Sequence, residues 1–447
     1  MKNYLIIGAQ IVNEGQRFIG NVLIRNKKIA SISTEPINKL PANTIKIQAK
    51  GKLLLPGVID DQVHFRDPGL THKGDIYTEA RAAVAGGITS FMEMPNTNPQ
   101  TITNTLLKEK FKVASKKSLA NFSFYIGATN DNILELKKAD RKLTCGIKVF
   151  MGSSTGNMLV DKLSSLSAIF SITDLPIAVH CEDEASIQSN MAKYQEEYGE
   201  DIPIELHPKI RSHEACFKSS SFAKNLAKRL NTRLHIIHIS TADELTHFQN
   251  DIPSPEKRIT SEVCIHHLWF DDSDYARKGT MIKWNPAIKS ANDKAALIEA
   301  VNDNRIDVIA TDHAPHTMEE KDNPYTRAPS GGPMVQHSLV AMLEYVHQGI
   351  FSLEKIVEKM CHTPADIFQV KNRGYIREGY FADLVLVDSD DPWTINKSNL
   401  YYKCGWSPLE GTSMKSRVIN TFVNGHLVYD NGIFDETIKG QALEFIR

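Results

Sequence analysis

The chain has 447 residues, 41% of them hydrophobic and 23% charged, with 25 Gly and 19 Pro. That balance excludes disorder, collagen-like repeats and a disulfide-dense miniprotein. Lys+Arg 52 against Asp+Glu 53 leaves a formal net charge of −1, so the whole-chain charge offers no electrostatic footprint for nucleic acid. The length suits about three domains, or two when one of them is an α/β barrel of about 250 residues or more. The N-terminal apolar run Tyr4–Ile7 is too short for a signal peptide. No stretch approaches the ~20 apolar residues of a membrane helix. Cys145, Cys181, Cys216, Cys264, Cys361 and Cys404 form no C-x-x-C pair and read as reduced thiols, several of them buried. A soluble cytoplasmic protein without membrane or nucleic-acid partners is expected.

Along the chain, Tyr4–Ile7, Asn21–Arg25, Lys28–Ile32 and Thr44–Ile47 predict short strands punctuated by Gly, Asn and Lys. From about residue 55 to 370 the period alternates. Strands are predicted at Val58–His64, Ile88–Met94, Phe122–Gly127, Gly146–Met151, Pro176–His180, Arg233–His238, Ile259–Cys264 and Ile306–Thr311. Helical patterns between them include Ile76–Ala85, Thr103–Lys117, His213–Leu230 and Asp293–Asn302. Eight alternating units predict an α/β fold, a (β/α)8 TIM barrel, over 56–374. A doubly wound sheet competes, but the glycine-rich dinucleotide fingerprint is absent. The β texture returns at Ala382–Asp388 and Val418–Tyr429, where Asn424-Gly425 signals a hairpin. Neither terminal piece can bury both sheet faces alone. Residues 1–55 plus 375–447 are therefore expected to pair into one small β-sandwich domain.

The chemistry-bearing residues fall at the C-terminal ends of the predicted strands, where barrel enzymes place their sites. His64, His180, His238 and Asp312 each end a strand, and Lys148 sits inside an apolar one. Singly, each has an ordinary explanation: a hydrogen-bonded stopper, a helix N-cap, a snorkelling ammonium. Together, imidazoles and a carboxylate converging from four strands make an N/O site for a divalent ion, with Zn²⁺ the default. A lysine among apolar neighbours is pushed toward its neutral amine. Such an amine can add carbon dioxide, and the resulting carbamate can bridge two metals.

The motifs His64-Phe65-Arg66-Asp67-Pro68-Gly69, Met94-Pro95-Asn96-Thr97-Asn98-Pro99 and Thr311-Asp312-His313-Ala314-Pro315-His316 resemble those of the dihydroorotases, within the amidohydrolase superfamily. The likeness is to the bacterial type that groups with the domain of the large animal pyrimidine enzyme, and it covers nearly the whole chain. It implies a zinc-dependent cyclic amidohydrolase interconverting N-carbamoyl-L-aspartate and dihydroorotate in pyrimidine biosynthesis. By resemblance, His64 and Asp312 hold one Zn²⁺ and His180 and His238 a second, with N6-carboxylated Lys148 bridging. Asp312 is also the catalytic proton carrier. Arg66, Asn96, Asn285 and His316 resemble the substrate contacts, Arg66 and Asn96 gripping a carboxylate.

Three positions depart from the family pattern. Lys289 stands where many relatives carry arginine, and it lacks arginine's planar fork. Ser330-Gly331 replaces a common Phe-Gly. The largest departure is Gln62, which replaces the first histidine of His-x-His. Strand alternation still aims Gln62 with His64, but a neutral amide is a poor zinc ligand. Three outcomes are open: a weak first metal completed by Gln62 or water, a single ion on Lys148, His180 and His238, or an inactive scaffold for aspartate transcarbamoylase. A hydantoinase or allantoinase on the same barrel is the other alternative, although a substrate without an acid group would leave Arg66 unpaired. The family also points to a homodimer. Residues 316–333 read either as an adaptable loop at the barrel mouth or as a plain surface connection.

Overall fold

The computed structural model describes residues 2–152 and 158–447. Eight parallel strands form a closed barrel: β1 (Val58–Val63), β2 (Ile88–Glu93), β3 (Asn121–Phe124, resumed by Ile126–Gly127), β4 (Ile147–Phe150), β5 (Ile177–His180), β6 (Leu234–Ile236), β7 (Ile259–Cys264) and β8 (Val308–Ala310). Closure comes where the His64 N–H donates to the His313 carbonyl at 2.7 Å, just beyond β1 and β8. The Asp60 carboxylate reinforces it by accepting from the Thr311 hydroxyl at 2.6 Å. The strands are buried on both sides, which is why they read as continuous apolar runs rather than alternating ones.

The predicted helices form at Ile76–Ala85, Asn104–Lys117, His213–Leu230 and Ala291–Asn302. Their starts have local causes. The Asp75 carboxylate accepts from the Tyr77 and Thr78 N–H groups, and Ser212 caps the helix from His213. After β6 the connection carries two short turns of 3₁₀ helix, Asp243–His247 and Ser254–Glu256, before β7.

Both chain ends build a nine-stranded sheet. Leu53–Pro56 joins them: it runs parallel to Asn3–Asn13 on one side and antiparallel to Leu384–Asp388 on the other. The sheet encloses Tyr4, Ile6, Ile11, Val22, Leu54, Leu384 and Phe422, a core to which each terminus contributes part. The hairpin at Asn424-Gly425 has φ of 50° and 72°, the left-handed pair that suits the twist of Arg417–Val423 and His426–Asp430. The final residues leave the sheet. Leu443 and Phe445 pack with Ile59, Met92, Tyr125 and Phe368 and fill the barrel's foot, opposite the ligand-bearing mouth. No helix among the described residues is long and apolar enough to cross a membrane. All six cysteines are free thiols, five of them buried.

Candidate metal centre

At the mouth, a cavity of about 330 Å³ is lined by His64, Lys148, His180, His238, Asp312, Arg66, Asn96, Asn285 and His316, together with Gln62, Phe150, Trp284 and Ser330. Arg66, His238 and Asp312 have φ of 68°, 44° and 44°, left-handed values that cost a non-glycine residue about 1–3 kcal/mol each. Three such residues in one cavity mark a place where geometry has been favoured over local stability.

The first two motifs are one structural unit. The Asn98 N–H donates to the Pro68 carbonyl at 3.1 Å. A Cβ at Gly69 would meet the Asn98 carbonyl oxygen at 1.9 Å, so only glycine allows this approach, and Arg66 and Asn96 are set side by side by it. Asn96 Oδ1 accepts from His64 Nδ1 at 2.7 Å, which leaves His64 Nε2 facing Asp312 Oδ1 at 3.1 Å. Asn96 thus orients a ring with its oxygen, and only its amide NH₂ can serve a substrate.

On the other side, His180 Nε2 donates to Glu182 Oε2 at 2.8 Å, and the Arg211 guanidinium donates to the same carboxylate. Burial alone would raise the Glu182 carboxyl, but Arg211 and His180 outweigh it and hold it down at about 2. With that proton assigned, the His180 Nδ1 lone pair points to His238 Nε2, 2.9 Å away. Burial keeps His64, His180 and His238 below the usual imidazole range, hence neutral and able to ligate. Lys148 is also lowered by burial, to about 8. Neutral imidazoles, a buried amine and a carboxylate with converging lone pairs fit a divalent N/O-bound ion. Replacing Glu182 by glutamine should weaken binding of a divalent ion at this centre about 10–100-fold, read by chelator competition, because the ring loses its orienting carboxylate.

Gln62 corrects one expectation. Its Nε2 donates to Asp312 Oδ1 at 3.1 Å, and its Oε1 faces the Cys264 sulfur 3.7 Å away. An ionised carboxylate accepts only, so it attracts the NH₂ end of the amide and turns the ligating oxygen away. Lys289 is not among the residues that line the cavity. Its Nζ is buried and donates to the Ala287 carbonyl at 3.1 Å, outside the cavity. Arg66 spends Nε on the Pro315 carbonyl at 3.1 Å, which aims the rest of the fork. His316 lies between Lys73 Nζ at 3.0 Å and the Ser330 carbonyl at 3.1 Å, with Arg66 Nη2 3.0 Å from its Nε2. The Ser330 hydroxyl donates to Asn285 Oδ1 at 3.0 Å.

The segment 316–333 is tied to the barrel mouth by two buried lysines. Lys321 Nζ donates to the Pro329 and Gly331 carbonyls at 2.9 and 2.8 Å. Lys283 Nζ donates to those of Tyr325 and Ala328, both at 2.6 Å.

A parallel barrel carrying imidazole, lysine and carboxylate donors at strand ends defines a barrel hydrolase. The profile of the amidohydrolase family matches residues 53–428, and the chain belongs to that family. Among its relatives, the dihydroorotase of Pyrococcus abyssi is 34% identical over 437 residues, spanning 97% of this chain and 96% of its own. The dihydroorotase of Methanosarcina acetivorans is 32% identical over 400 residues, 87% of this chain and 84% of its own. Of solved structures, the L-hydantoinase (dihydropyrimidinase) of Arthrobacter aurescens aligns with a TM-score of 0.93 at 27% identity, covering 99% of this chain and 100% of that one. The dihydropyrimidinase of Brevibacillus agri, at 22% identity and TM-score 0.87, covers 100% of both chains and shares the fold.

Proposed function

We propose that this chain is a dihydroorotase, interconverting N-carbamoyl-L-aspartate and (S)-dihydroorotate in the pyrimidine (UMP) pathway. The observation that carries this reading is the buried Arg66 guanidinium, beside Asn96, in the same cavity as the N/O donors. A substrate with an acid group satisfies that cation, whereas hydantoin or dihydrouracil leaves it unpaired. Lys148, His180 and His238 would hold Zn²⁺, and His64 and Asp312 offer a poorer second position because the Gln62 oxygen faces Cys264. Bound there, the ion supplies an activated water at neutral pH and polarises the amide carbonyl.

The chain's own groups do the rest. Arg66 and Asn96 orient the ring by its carboxylate. Asp312, with Oδ1 held by the Gln62 NH₂, receives a proton from the attacking water and delivers it to the departing ring nitrogen. In the biosynthetic direction the same residue takes the proton from the ureido nitrogen as the ring closes.

The high-TM-score hydantoinase supports a second reading, a cyclic amidase for neutral rings. Zinc-loaded protein is therefore assayed by loss of amide absorbance on dihydroorotate, hydantoin and dihydrouracil. Turnover of dihydroorotate alone is expected. Preference for a neutral ring overturns the proposal in favour of the amidase, and a protein that takes up no Zn²⁺ and turns over none of the three in favour of a scaffold.

Carboxylation of Lys148 is part of the proposal. Burial brings this amine to about 8, so its neutral, CO₂-reactive fraction rises as pH rises through that value. Metal-free protein given Zn²⁺ and bicarbonate should regain activity faster at pH 8 than at pH 6, with a carbamate resonance from carbon-labelled bicarbonate. Equal recovery at both values without such a resonance rejects the carbamate.

A further inference from the structure

Deeper in the barrel lies a second convergence of ligating groups. Asp61 on β1 directly precedes the mouth residue Gln62, and His235 on β6 comes before the mouth residue His238 that follows that strand, while Glu262 lies on the adjoining β7. The His235 ring centroid is 5.5 Å from that of Phe368, which fills the foot. Strands β1 and β6 are not neighbours, so their side chains can meet only across the barrel interior. His235 Nε2 is 3.1 Å from Asp61 Oδ2 and 3.5 Å from Glu262 Oε2. One ligand atom from each of the three residues lies within 4.8 Å of the others. All three residues are at most 1% exposed.

The hydrogen bonding of this cluster is incomplete. Asp61 Oδ1 is buried without a hydrogen-bond partner, and Asp61 Oδ2 and Glu262 Oε2 have only the contacts to His235 Nε2 at 3.1 and 3.5 Å. Leaving such an oxygen unpaired costs about 1–3 kcal/mol, more when it is charged. Meanwhile the outer sides of two residues are fully used. The Thr260 hydroxyl donates to the Leu234 carbonyl at 3.3 Å, so its oxygen accepts the His235 Nδ1–H at 2.8 Å. That fixes the ring with Nε2 directed at the two carboxylates, the second-sphere arrangement of a metal-bound histidine. Glu262 Oε1 accepts from the Cys264 thiol and the His238 N–H, both at 3.3 Å, which leaves Oε2 for the interior.

We infer that Asp61, His235 and Glu262 form a second cation site inside the barrel, distinct from the centre at the mouth, taking a divalent transition ion through one imidazole nitrogen and carboxylate oxygens. The donor set is that of zinc, cobalt or manganese. The site is closed to substrate, so the ion is structural: it ties β1, β6 and β7 together directly beneath Gln62, His238 and Cys264. Its rival occupant is a proton. Burial opposes charge on His235, but the two carboxylates outweigh it and hold the imidazole at about 9. An entering ion displaces that proton.

The test is an anomalous difference map at the metal edge from crystals of the full chain saturated with Co²⁺. A peak bounded by the three side chains, with His235 Nε2 about 2.0–2.2 Å away, is expected whatever the occupancy of the mouth. A second measurement separates the two sites in solution. The His180→Ala/His238→Ala variant disables the mouth and should retain a bound ion in equilibrium dialysis, and adding Asp61→Asn should remove it. Absence of the interior peak at saturating Co²⁺ overturns the proposal and leaves a protonated His235 between two acids. The map uses the unaltered chain, so it decides the matter even where a variant fails to fold.

Discussion

Asp312→Ala should lower turnover of dihydroorotate about 10²–10⁴-fold, the range for loss of a positioned general acid–base group, with a much smaller change in KM. The site explains why the loss falls on turnover. Asp312 Oδ1 is bracketed by His64 Nε2 and Gln62 Nε2, each at 3.1 Å, and the preceding Thr311 is locked to Asp60. The left-handed backbone at Asp312 then swings this carboxylate into the mouth. Asp312→Asn is the sharper control, because an amide keeps the shape but cannot accept the proton. Steady-state kinetics on both variants, with metal content recorded in parallel, provide the check. Near-full turnover by Asp312→Ala with metal retained would remove the residue from the proton path.

Arg66→Ala should act mainly on affinity. Truncating one partner of a buried, hydrogen-bonded charge pair costs about 2–4 kcal/mol, which is roughly 30- to 1,000-fold in KM. Burial lowers the guanidinium only to about 10, so it stays cationic through the neutral range and the effect does not titrate there. Arg66→Lys should fall between the two, since it keeps the charge and loses the fork. Any slow hydrolysis of hydantoin should be unaffected or improved by the alanine variant, because a neutral ring gains nothing from the cation. A parallel loss on both substrates would mean that Arg66 supports the loop rather than the acid group.

Much of this architecture was legible from short-range pattern. The helices Ile76–Ala85 and His213–Leu230 begin after Asp75 and Ser212, residues whose side chains cap locally, so their starts need no distant information. The Asn424-Gly425 hairpin is equally local, because two left-handed residues set its turn. The mouth residues could be named because a strand end is where a polar side chain interrupts an apolar run. Glu182 carried a weaker signal: it stands two residues beyond His180, and the adjacent Asp183 caps the next helix through the Ser186 N–H. Only the fold shows that Glu182 and not Asp183 turns inward to the ring.

By itself the sequence determined the barrel, the pairing of its two ends and which side chains compete for the mouth, because all of these rest on periodicity and on residue chemistry. Tertiary structure alone decided orientation. Gln62 turns its oxygen to Cys264 because Asp312 claims its NH₂, Lys289 folds back on the Ala287 carbonyl, and two buried lysines pin the segment 316–333. It also decided that Asp61, His235 and Glu262 meet at all, since they lie far apart in the chain and come together only when the barrel closes. Hydrogen bonds are directional and short, so which end of an amide faces an ion depends on neighbours that the linear order does not place.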